Sequence, residues 1–506
     1  MSIPREDIVL ILPIALALAG AVLGLIADAF HGRRLAVSIV ILGLAAGGAL
    51  GIWVAVNEDP RSVADILAAG GGTSAVGGAV MLIGAVAVFG GWTWFTRSSM
   101  GAGAAVLISI VCATSATLAA SLDLLLVIIC LEALALSGYA LTAQARNGRS
   151  AEASVKYVIQ GSVATGLLVL GFAILFGVYG SKTDLLEIGI AIGSGPVEPA
   201  LAAMGLIVSA FAYKLGAFPF HSWAPDVFET APPPSAGAMA SIPKIAAVSA
   251  AVFVFGVAFG VGDTGSLSTL WLVLAAGSIL FGNLVALKQT SYGRMLGYSG
   301  IAQVGYVLVG LAAPQATWTM SAMLVLVVAY GMAVACAFLG AEAVRQIRPE
   351  WDGSIDGMAG IGRSQPVLGV GIAIAMFSLT GMPLTAGFWG KFGVFGAALV
   401  DEWQWLVAIG VLGILASVVS FGYYGRVLRA LYFDAEAEAS TVREEPGSES
   451  SAEAEANPSL FDASTDGSSV PAQAATAIAA LAIMALGLAP VFWGLEWLYE
   501  LFYVFG

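Results

Sequence analysis

Long apolar runs follow one another along almost the whole chain, separated by short polar or charged stretches. The first begins almost at the amino terminus and reads VLILPIALALAGAVLGLIADAF. About 20 apolar residues are enough to cross a hydrocarbon core of about 30 Å as an α-helix. This run is too long for the apolar region of a signal peptide, so we interpret it as a membrane span. The pattern predicts an all-α polytopic membrane protein.

The apolar runs predict fourteen transmembrane helices. They cover residues 8–30, 35–56, 77–96, 102–121, 123–143, 154–179, 200–229, 235–261, 267–287, 294–313, 317–343, 366–400, 404–432 and 471–504. The seventh and twelfth are longer than a span requires, and each has a proline near its middle, Pro219 and Pro383. Because proline ends or kinks a helix, we expect both helices to be broken. Broken helices at matching places in two repeats indicate an ion site near the middle of the membrane.

The two long runs each come fourth in a group of five helices, spans 4–8 and spans 9–13. Since five is an odd number, the second group is expected to be inverted relative to the first. The chain is therefore predicted to contain two inverted five-helix repeats. The expected divisions are an N-terminal three-helix segment at 1–101, the repeats at 102–261 and 262–433, and a C-terminal transmembrane helix within 471–506.

Residues 434–470 differ in composition from the rest of the chain. They hold ten of the 33 acidic residues against a single arginine. Low apolar content and high charge are typical of segments that do not fold. We predict a disordered acidic linker here, without a catalytic role.

The positive charges predict the orientation of the spans. With the amino terminus outside, thirteen of the 20 lysines and arginines fall on the cytoplasmic side, and only Arg5, Arg61 and Lys182 fall outside. Cytoplasmic loops of membrane proteins are enriched in Lys and Arg. Both termini are therefore expected outside the plasma membrane and the acidic linker inside.

The remaining four cations, Lys156, Lys214, Lys244 and Lys391, lie within predicted spans. Only 10% of the residues are charged, against about 25% in soluble proteins. A buried ammonium is costly in hydrocarbon and usually serves transport. Lysine also gains and loses its proton readily when it is buried. For Lys156 the alternative is a surface pair with Glu152, four residues earlier on the same helix.

Two further side chains are candidates for proton transfer. Glu132 is the acidic residue best placed at the middle of a span, and a carboxylate near a buried lysine stabilises the ammonium. We therefore expect Glu132 and Lys214 to form a pair. His221 follows the first predicted helix break and is a candidate proton carrier. Its alternative role is to hydrogen-bond the unwound backbone.

The sequence gives no sign of a redox centre or a metal site. The three cysteines are scattered singly in apolar runs, unlike a disulfide framework, a zinc site or an iron–sulfur ligand set. The glycine-containing stretch at 101–106 lies inside an apolar span, which argues against a dinucleotide site. We expect no metal, no cofactor and no nucleic acid in this chain.

Four stretches of the sequence resemble the antiporter-like subunits of respiratory complex I, and most nearly the N type. They read EASVKY, FPFHSWAPDVFETAPPPSAGAMASIPKIA, RMLGYSGIAQVGYVLVG and TGMPLTAGFWGKF. WAPDVFE followed by AP and later PKIA is the N-type form of this loop. The resemblance covers the fourteen-span core and excludes the acidic linker.

This resemblance implies a role for each matched residue. Glu132, Lys214, Lys244 and Lys391 correspond to the family's proton relay, and His221 to the histidine after the first break. Gln303 departs from the pattern, because many members carry histidine there and an amide cannot take up a proton.

The resemblance also implies a function, that of a proton-translocating subunit of a complex I-type quinone oxidoreductase. Quinone, flavin and iron–sulfur clusters are expected in partner subunits, and the expected neighbours in the bilayer are the antiporter-like subunit M and the small subunits J and K. The alternative is a subunit of an Mrp-type cation/proton antiporter, which shares the fold and the buried lysines.

Overall fold

The computed structural model describes residues 5–30, 32–145, 147–259, 264–313, 318–434 and 469–501. Most of the predicted acidic linker lies outside the described residues. Helices dominate the fold in the described ranges. The first half of the chain contains α1 (Arg5–Phe30), α2 (Arg33–Asn57), α3 (Gly71–Gly90), α4 (Trp92–Arg97), α5 (Gly101–Ala119), α6 (Leu124–Ala143), α7 (Gly148–Val178), α8 (Leu185–Ser194), α9 (Val197–Leu215), α10 (Trp223–Thr230) and α11 (Pro233–Phe253).

The second half continues the helical pattern. It contains α12 (Thr264–Ala286), α13 (Tyr292–Ala312), α14 (Thr319–Ile347), α15 (Ile361–Ser364), α16 (Pro366–Thr380), α17 (Ala386–Leu399), α18 (Gln404–Tyr432) and α19 (Val470–Leu501). A π-helical turn, Val254–Ala258, extends α11, and a short 3-10 turn, Asp356–Met358, precedes α15. One small antiparallel hairpin pairs β1 (Arg61–Val63) with β2 (Leu67–Ala69), with Arg61 opposite Ala69.

Thirteen helices in the described ranges are long and apolar enough to cross a membrane. The predicted twelfth span is not one of them as a single helix, because the chain divides it into α16 and α17. Several predicted boundaries were wrong. The third span begins at Gly71 rather than at residue 77, and the loop predicted before the seventh span contains the apolar helix α8.

The chain is interrupted at both places where the sequence predicted a break. The first break follows Leu215 and lasts until α10 begins at Trp223, and the second separates α16 from α17. Each first half-helix ends on a glycine in the left-handed conformation, Gly216 with φ 75° and Gly381 with φ 88°. A residue without Cβ adopts this conformation without steric cost, which is why glycine commonly ends a helix.

α14 lies at the centre of the bundle. It contacts α3, α11, α13, α16, α17 and α19, and its most apolar stretch is entirely buried by the chain itself. α11 packs along α14 and is itself almost entirely buried, although Pro243 lies inside it. Polar groups on α11 and α14 are therefore remote from lipid, and their charge must be balanced within the protein.

Candidate functional site

Two of the four lysines predicted to lie within the membrane are buried, and a third is mostly buried. Lys244 on α11 is 2% exposed and Lys391 on α17 is 5% exposed. The side chain of Lys214, in the last turn of α9, is 10% exposed. Burying a charge is costly unless polar groups or an opposite charge stabilise it. The partners of each ammonium therefore define the site.

Lys214 lies beside Glu132 of α6, as the sequence analysis expected. Its Nζ is 3.8 Å from Glu132 Oε2 and donates a hydrogen bond to the Leu131 carbonyl at 3.3 Å. The Thr165 hydroxyl on α7 donates to Glu132 Oε2 at 2.6 Å. The Glu132 side chain is 37% exposed at the outer surface of the chain. The pair thus begins at the surface of the bundle and leads inward to Lys214.

Lys244 has aromatic neighbours and no ion pair among the described residues. Its Nζ donates to the Tyr330 hydroxyl at 3.4 Å. The same atom lies 5.3 Å from the centre of the Tyr330 ring and 5.6 Å from that of Phe228. Aromatic faces attract a cation through their quadrupole, and more strongly where water is excluded. These neighbours stabilise an ammonium without a fixed negative charge.

Gly300 of α13 has no side chain, and the Lys244 ammonium lies in the space that a side chain would need. A Cβ atom at this position would lie 3.1 Å from Lys244 Nζ and 2.8 Å from the Tyr330 hydroxyl. Both distances are too short for relaxed contacts, so one of the two side chains would have to move. The close approach of α13 to Lys244 therefore depends on having glycine at position 300.

Lys391 caps the carbonyl end of α16 at the second break. Its Nζ donates to the carbonyls of Leu379 at 2.8 Å and of Thr380 at 3.0 Å. The last carbonyls of a helix lack partners within the helix, and the negative end of the helix dipole favours a cation there. The ring of Tyr306 adds a third contact, 4.7 Å from Nζ.

The two lysines on broken helices lie on opposite sides of their breaks. Lys214 precedes the first break, whereas Lys391 follows the second and reaches back across it. Gln303 on α13 lies at the second break, and its Nε2 donates to the Leu379 carbonyl at 2.6 Å. Gln303 and Lys391 therefore share one acceptor.

Lys156 lies at the surface, in an ion-pair cluster that joins α7, α10 and α13. Its Nζ is 2.7 Å from Glu152 and 3.3 Å from Asp226, and its side chain is 46% exposed. Arg294 binds the same Asp226 at 2.7 Å and Glu229 at 3.0 Å. The surface pair with Glu152, one of the two interpretations of the sequence, is thus present. A cavity of about 310 Å³ lies among these side chains.

His221 lies in the first break, between α9 and α10. Its ring is 4.4 Å from the ring of Phe281 and 5.5 Å from that of Phe218, centre to centre. It interacts with the backbone of Pro219, which agrees with the alternative role of capping the unwound segment. Its buried Nδ1 has no hydrogen-bond partner in the described part of the chain, so a second polar contact is available.

Sequence reasoning missed one buried acidic residue and two polar partners of the site residues. Glu342 on α14 is 2% exposed, accepts a hydrogen bond from Gln346 at 2.8 Å, and has a second buried oxygen without a partner in the described ranges. It lay at the edge of a predicted span, so its depth was not evident. Tyr330 and Thr165 look like ordinary span residues in the sequence, and only their contacts distinguish them.

The described residues contain no cluster of three or more His, Cys, Asp or Glu side chains that could hold a metal ion. Cys112, Cys130 and Cys336 are each buried and unpaired. What the site offers chemically is a set of four ionisable side chains. They are Glu132, Lys214, Lys244 and Lys391, each with neutral hydrogen-bonding or aromatic partners.

A family model described as NADH:quinone oxidoreductase/Mrp antiporter, TM, matches residues 121–417. The matched region is more than half of the chain and contains all four of these groups. The chain belongs to this family.

Relatives within the NADH:quinone oxidoreductase/Mrp antiporter family support the assignment. NADH-quinone oxidoreductase subunit N 2 of Symbiobacterium thermophilum is 33% identical over 455 residues, covering 84% of this chain and 88% of that protein. A second protein, NADH-quinone oxidoreductase subunit N 2 of Acidobacterium capsulatum, is 40% identical over 339 residues, covering 64% of this chain and 66% of that protein.

Solved structures of the family share the fold. A chain of respiratory complex I from Thermus thermophilus with bound aureothin superposes with a TM-score of 0.74 at 27% identity, covering 95% of this chain and 98% of that one. A chain of the Mrp complex from Dietzia superposes with a TM-score of 0.78 at 19% identity, covering 97% and 96%. At that identity the second likeness shows the fold alone.

Proposed function

We propose that this chain is the N-type proton-translocating membrane subunit of a complex I-type quinone oxidoreductase. The observation that carries the proposal is the series of buried lysines, Lys214, Lys244 and Lys391. All three lie within the region that the family model matches. The relatives named as subunit N support the choice of subunit type.

The contacts of each lysine suggest how a proton moves along the series. Glu132 holds the ammonium of Lys214 electrostatically, and weakening that influence releases the proton. Lys244 has only neutral partners among the described residues, so its charge responds to charges that arrive nearby. At Lys391 the positive charge lies at the C-terminal end of α16, where the negative end of the helix dipole stabilises it.

α13 connects the last two lysines of the proposed path. Gly300 lies against Lys244, and Gln303, one turn later, binds the same carbonyl as Lys391. Tyr306, on the following turn, contacts Lys391 through its ring. Water that enters the second break supplies the remaining proton carriers, because unwound backbone within a membrane needs polar partners. Gln303 makes this step depend on water, since its amide does not titrate.

The remaining site residues have supporting roles in this proposal. His221 exchanges protons at the first break through its unpartnered nitrogen. Lys156 takes part through the Asp226 cluster, which fixes α10 beyond that break. Redox chemistry belongs to partner subunits, where quinone, flavin and iron–sulfur clusters are expected.

The exposed side of Glu132 indicates where a partner subunit binds. A carboxylate facing hydrocarbon is costly, yet this one is 37% exposed and surrounded by exposed apolar residues such as Ile129 and Leu136. A neighbouring membrane subunit that covers α6 and α7 removes the carboxylate from lipid. Subunits M, J and K are the neighbours proposed for this chain.

The proposed topology has fourteen spans in the plasma membrane. α16 and α17 together form the twelfth, and spans 4–8 and 9–13 form two inverted repeats within 102–261 and 262–433. Both termini lie outside and the 434–470 linker lies in the cytoplasm, as the distribution of Lys and Arg favours.

Isolation of the tagged chain from its native membrane, with mass spectrometry of the proteins that accompany it, tests the proposal. The expected partners are subunits of a quinone oxidoreductase, including iron–sulfur proteins. Recovery with antiporter subunits and no redox subunit would instead support the Mrp-type alternative.

A further inference from the structure

Two carbonyl groups at the end of α16 receive their hydrogen bonds from other helices. The Gly381 amide donates to the Phe377 and Ser378 carbonyls and so caps that part of the helix. The next two carbonyls, of Leu379 and Thr380, accept from Lys391, and Leu379 also accepts from Gln303. A buried carbonyl without a partner destabilises its surroundings. Lys391 is therefore a structural cap as well as a carrier of charge.

These two functions of Lys391 conflict when its proton leaves. The ammonium has three N–H donors and a positive charge, which two carbonyls and the Tyr306 ring satisfy. The neutral amine has one donor fewer, and its attraction to the ring and to the helix end is lost. The amine keeps two N–H groups, enough for both carbonyls, but its bonds to Leu379 and Thr380 are no longer charge-assisted and are therefore weaker.

On the basis of the function proposed above, we infer that Gln303 is a positioning residue that keeps the Leu379 carbonyl hydrogen-bonded while Lys391 gives up its proton. The bond is short, 2.6 Å, and the Gln303 side chain is 2% exposed. An amide donates in the same way at every physiological pH. The broken end of α16 therefore keeps a donor in both protonation states of Lys391.

The surroundings hold Gln303 in place. Asn283 of α12 donates to the Tyr306 hydroxyl at 3.1 Å and accepts from the Tyr423 hydroxyl at 3.1 Å. These bonds connect α13, one turn beyond Gln303, to α12 and α18. Because these bonds hold α13 next to α12 and α18, we expect Gln303 to hold the end of α16 in position rather than to move with it.

The test uses Gln303→Leu, Gln303→Met and Gln303→His in the intact oxidoreductase in its membrane. Leu and Met remove the donor at similar volume, and His restores a ring N–H. Gln144→Leu is the control, since Gln144 is also a buried glutamine, 8% exposed, and ends α6, remote in the chain from Lys391. The rates of proton pumping and of quinone reduction are recorded, in H₂O and in D₂O.

Gln303→Leu is expected to lower pumping about two- to tenfold, the change that one net hydrogen bond accounts for. The solvent isotope effect should rise, because proton release from Lys391 becomes slow, and Gln303→His should recover much of the rate. Unchanged pumping and isotope effect in Gln303→Leu would overturn the inference, as would a loss that His does not recover.

If Gln303→Leu does not assemble, the same criteria apply to Gln303→Met. Lys391→Met distinguishes a failure of the inference about Gln303 from a failure of the proposed function. If Lys391→Met abolishes pumping while the Gln303 variants pump normally, only the inference about Gln303 fails. If Lys391→Met pumps normally, the proposed function fails.

Discussion

The Lys214 ammonium lies 3.8 Å from the nearest carboxylate oxygen of Glu132. This distance is within electrostatic contact but longer than a direct hydrogen bond. Each group also has a neutral partner, the Leu131 carbonyl for Lys214 and the Thr165 hydroxyl for Glu132. Neither group therefore loses all its bonds when the charge of the other changes.

The first prediction concerns the coupling within this pair. Lys214→Ala and Glu132→Ala should each lower pumping by more than about tenfold, since loss of a proton-transferring group typically costs about 10²–10⁴-fold. The double substitution should cost less than the sum of the two, because residues in contact couple by about 1 kcal/mol or more. Pumping rates of the four proteins in a double-mutant cycle measure the coupling.

The exposed pair of Lys182 and Glu187 is the matched control. Their side chains are 3.4 Å apart at 38% and 59% exposure, so the same cycle should show almost no coupling and normal pumping. Strictly additive losses at Lys214 and Glu132 would refute the pairing.

A second prediction follows from the space beside Lys244. Gly300→Ala introduces a Cβ atom 3.1 Å from Lys244 Nζ and 2.8 Å from the Tyr330 hydroxyl. Overpacking by one methyl group in a dense interior typically costs about 1–3 kcal/mol, so the bond between these two side chains should break and pumping should fall. Gly103→Ala in α5 is the control, because its Cβ has no neighbour within 4 Å. Equal pumping by both variants in assembled enzyme would argue against a role for this contact.

Lys156 and Lys214 should differ in importance. Lys156 is half-exposed and shares Asp226 with Arg294, so Arg294 still holds α10 when Lys156 is replaced. Pumping by Lys156→Ala should therefore fall less than pumping by Lys214→Ala, measured side by side in the same membranes. A loss as large as that of Lys214→Ala would mean that Lys156 carries protons itself.

Part of this site could be predicted from the sequence and part could not. A lysine or a proline in an apolar run is conspicuous, so the buried lysines and both breaks were recognisable. The direction in which a side chain points depends on the three-dimensional fold. Nothing in the sequence placed Lys391 across its break onto Leu379, or Gly300 against Lys244. Glu342 was missed because its depth depends on how α14 is surrounded.

Helix boundaries were the weakest part of the sequence-based account. Glycine and serine between residues 71 and 77 gave no apolar signal, yet α3 begins at Gly71 because small residues allow close packing against its neighbours. α8 was missed because ten residues are too few to read as a span. In both cases tertiary packing, rather than local preference, determines where the helix lies.

Orientation in the membrane is testable by labelling. A Ser450→Cys protein should react with a membrane-impermeant thiol reagent only after the cytoplasmic face is opened, because the Lys and Arg distribution favours a cytoplasmic location for 434–470. The native cysteines should not interfere, since Cys112, Cys130 and Cys336 are at most 4% exposed. Labelling at residue 450 from outside intact cells would reverse the proposed orientation.

Lys244→Met is the most direct test of a proton path through the buried lysines. Methionine matches the length of the lysine side chain but carries no proton, and Lys244 lies between the two broken helices in the proposed path. The measurement is proton pumping per quinone reduced by the assembled enzyme in sealed vesicles. The Lys244→Met enzyme is expected to assemble and to lose nearly all its pumping. An assembled Lys244→Met enzyme that pumps at the full rate would contradict a proton path through the buried lysines.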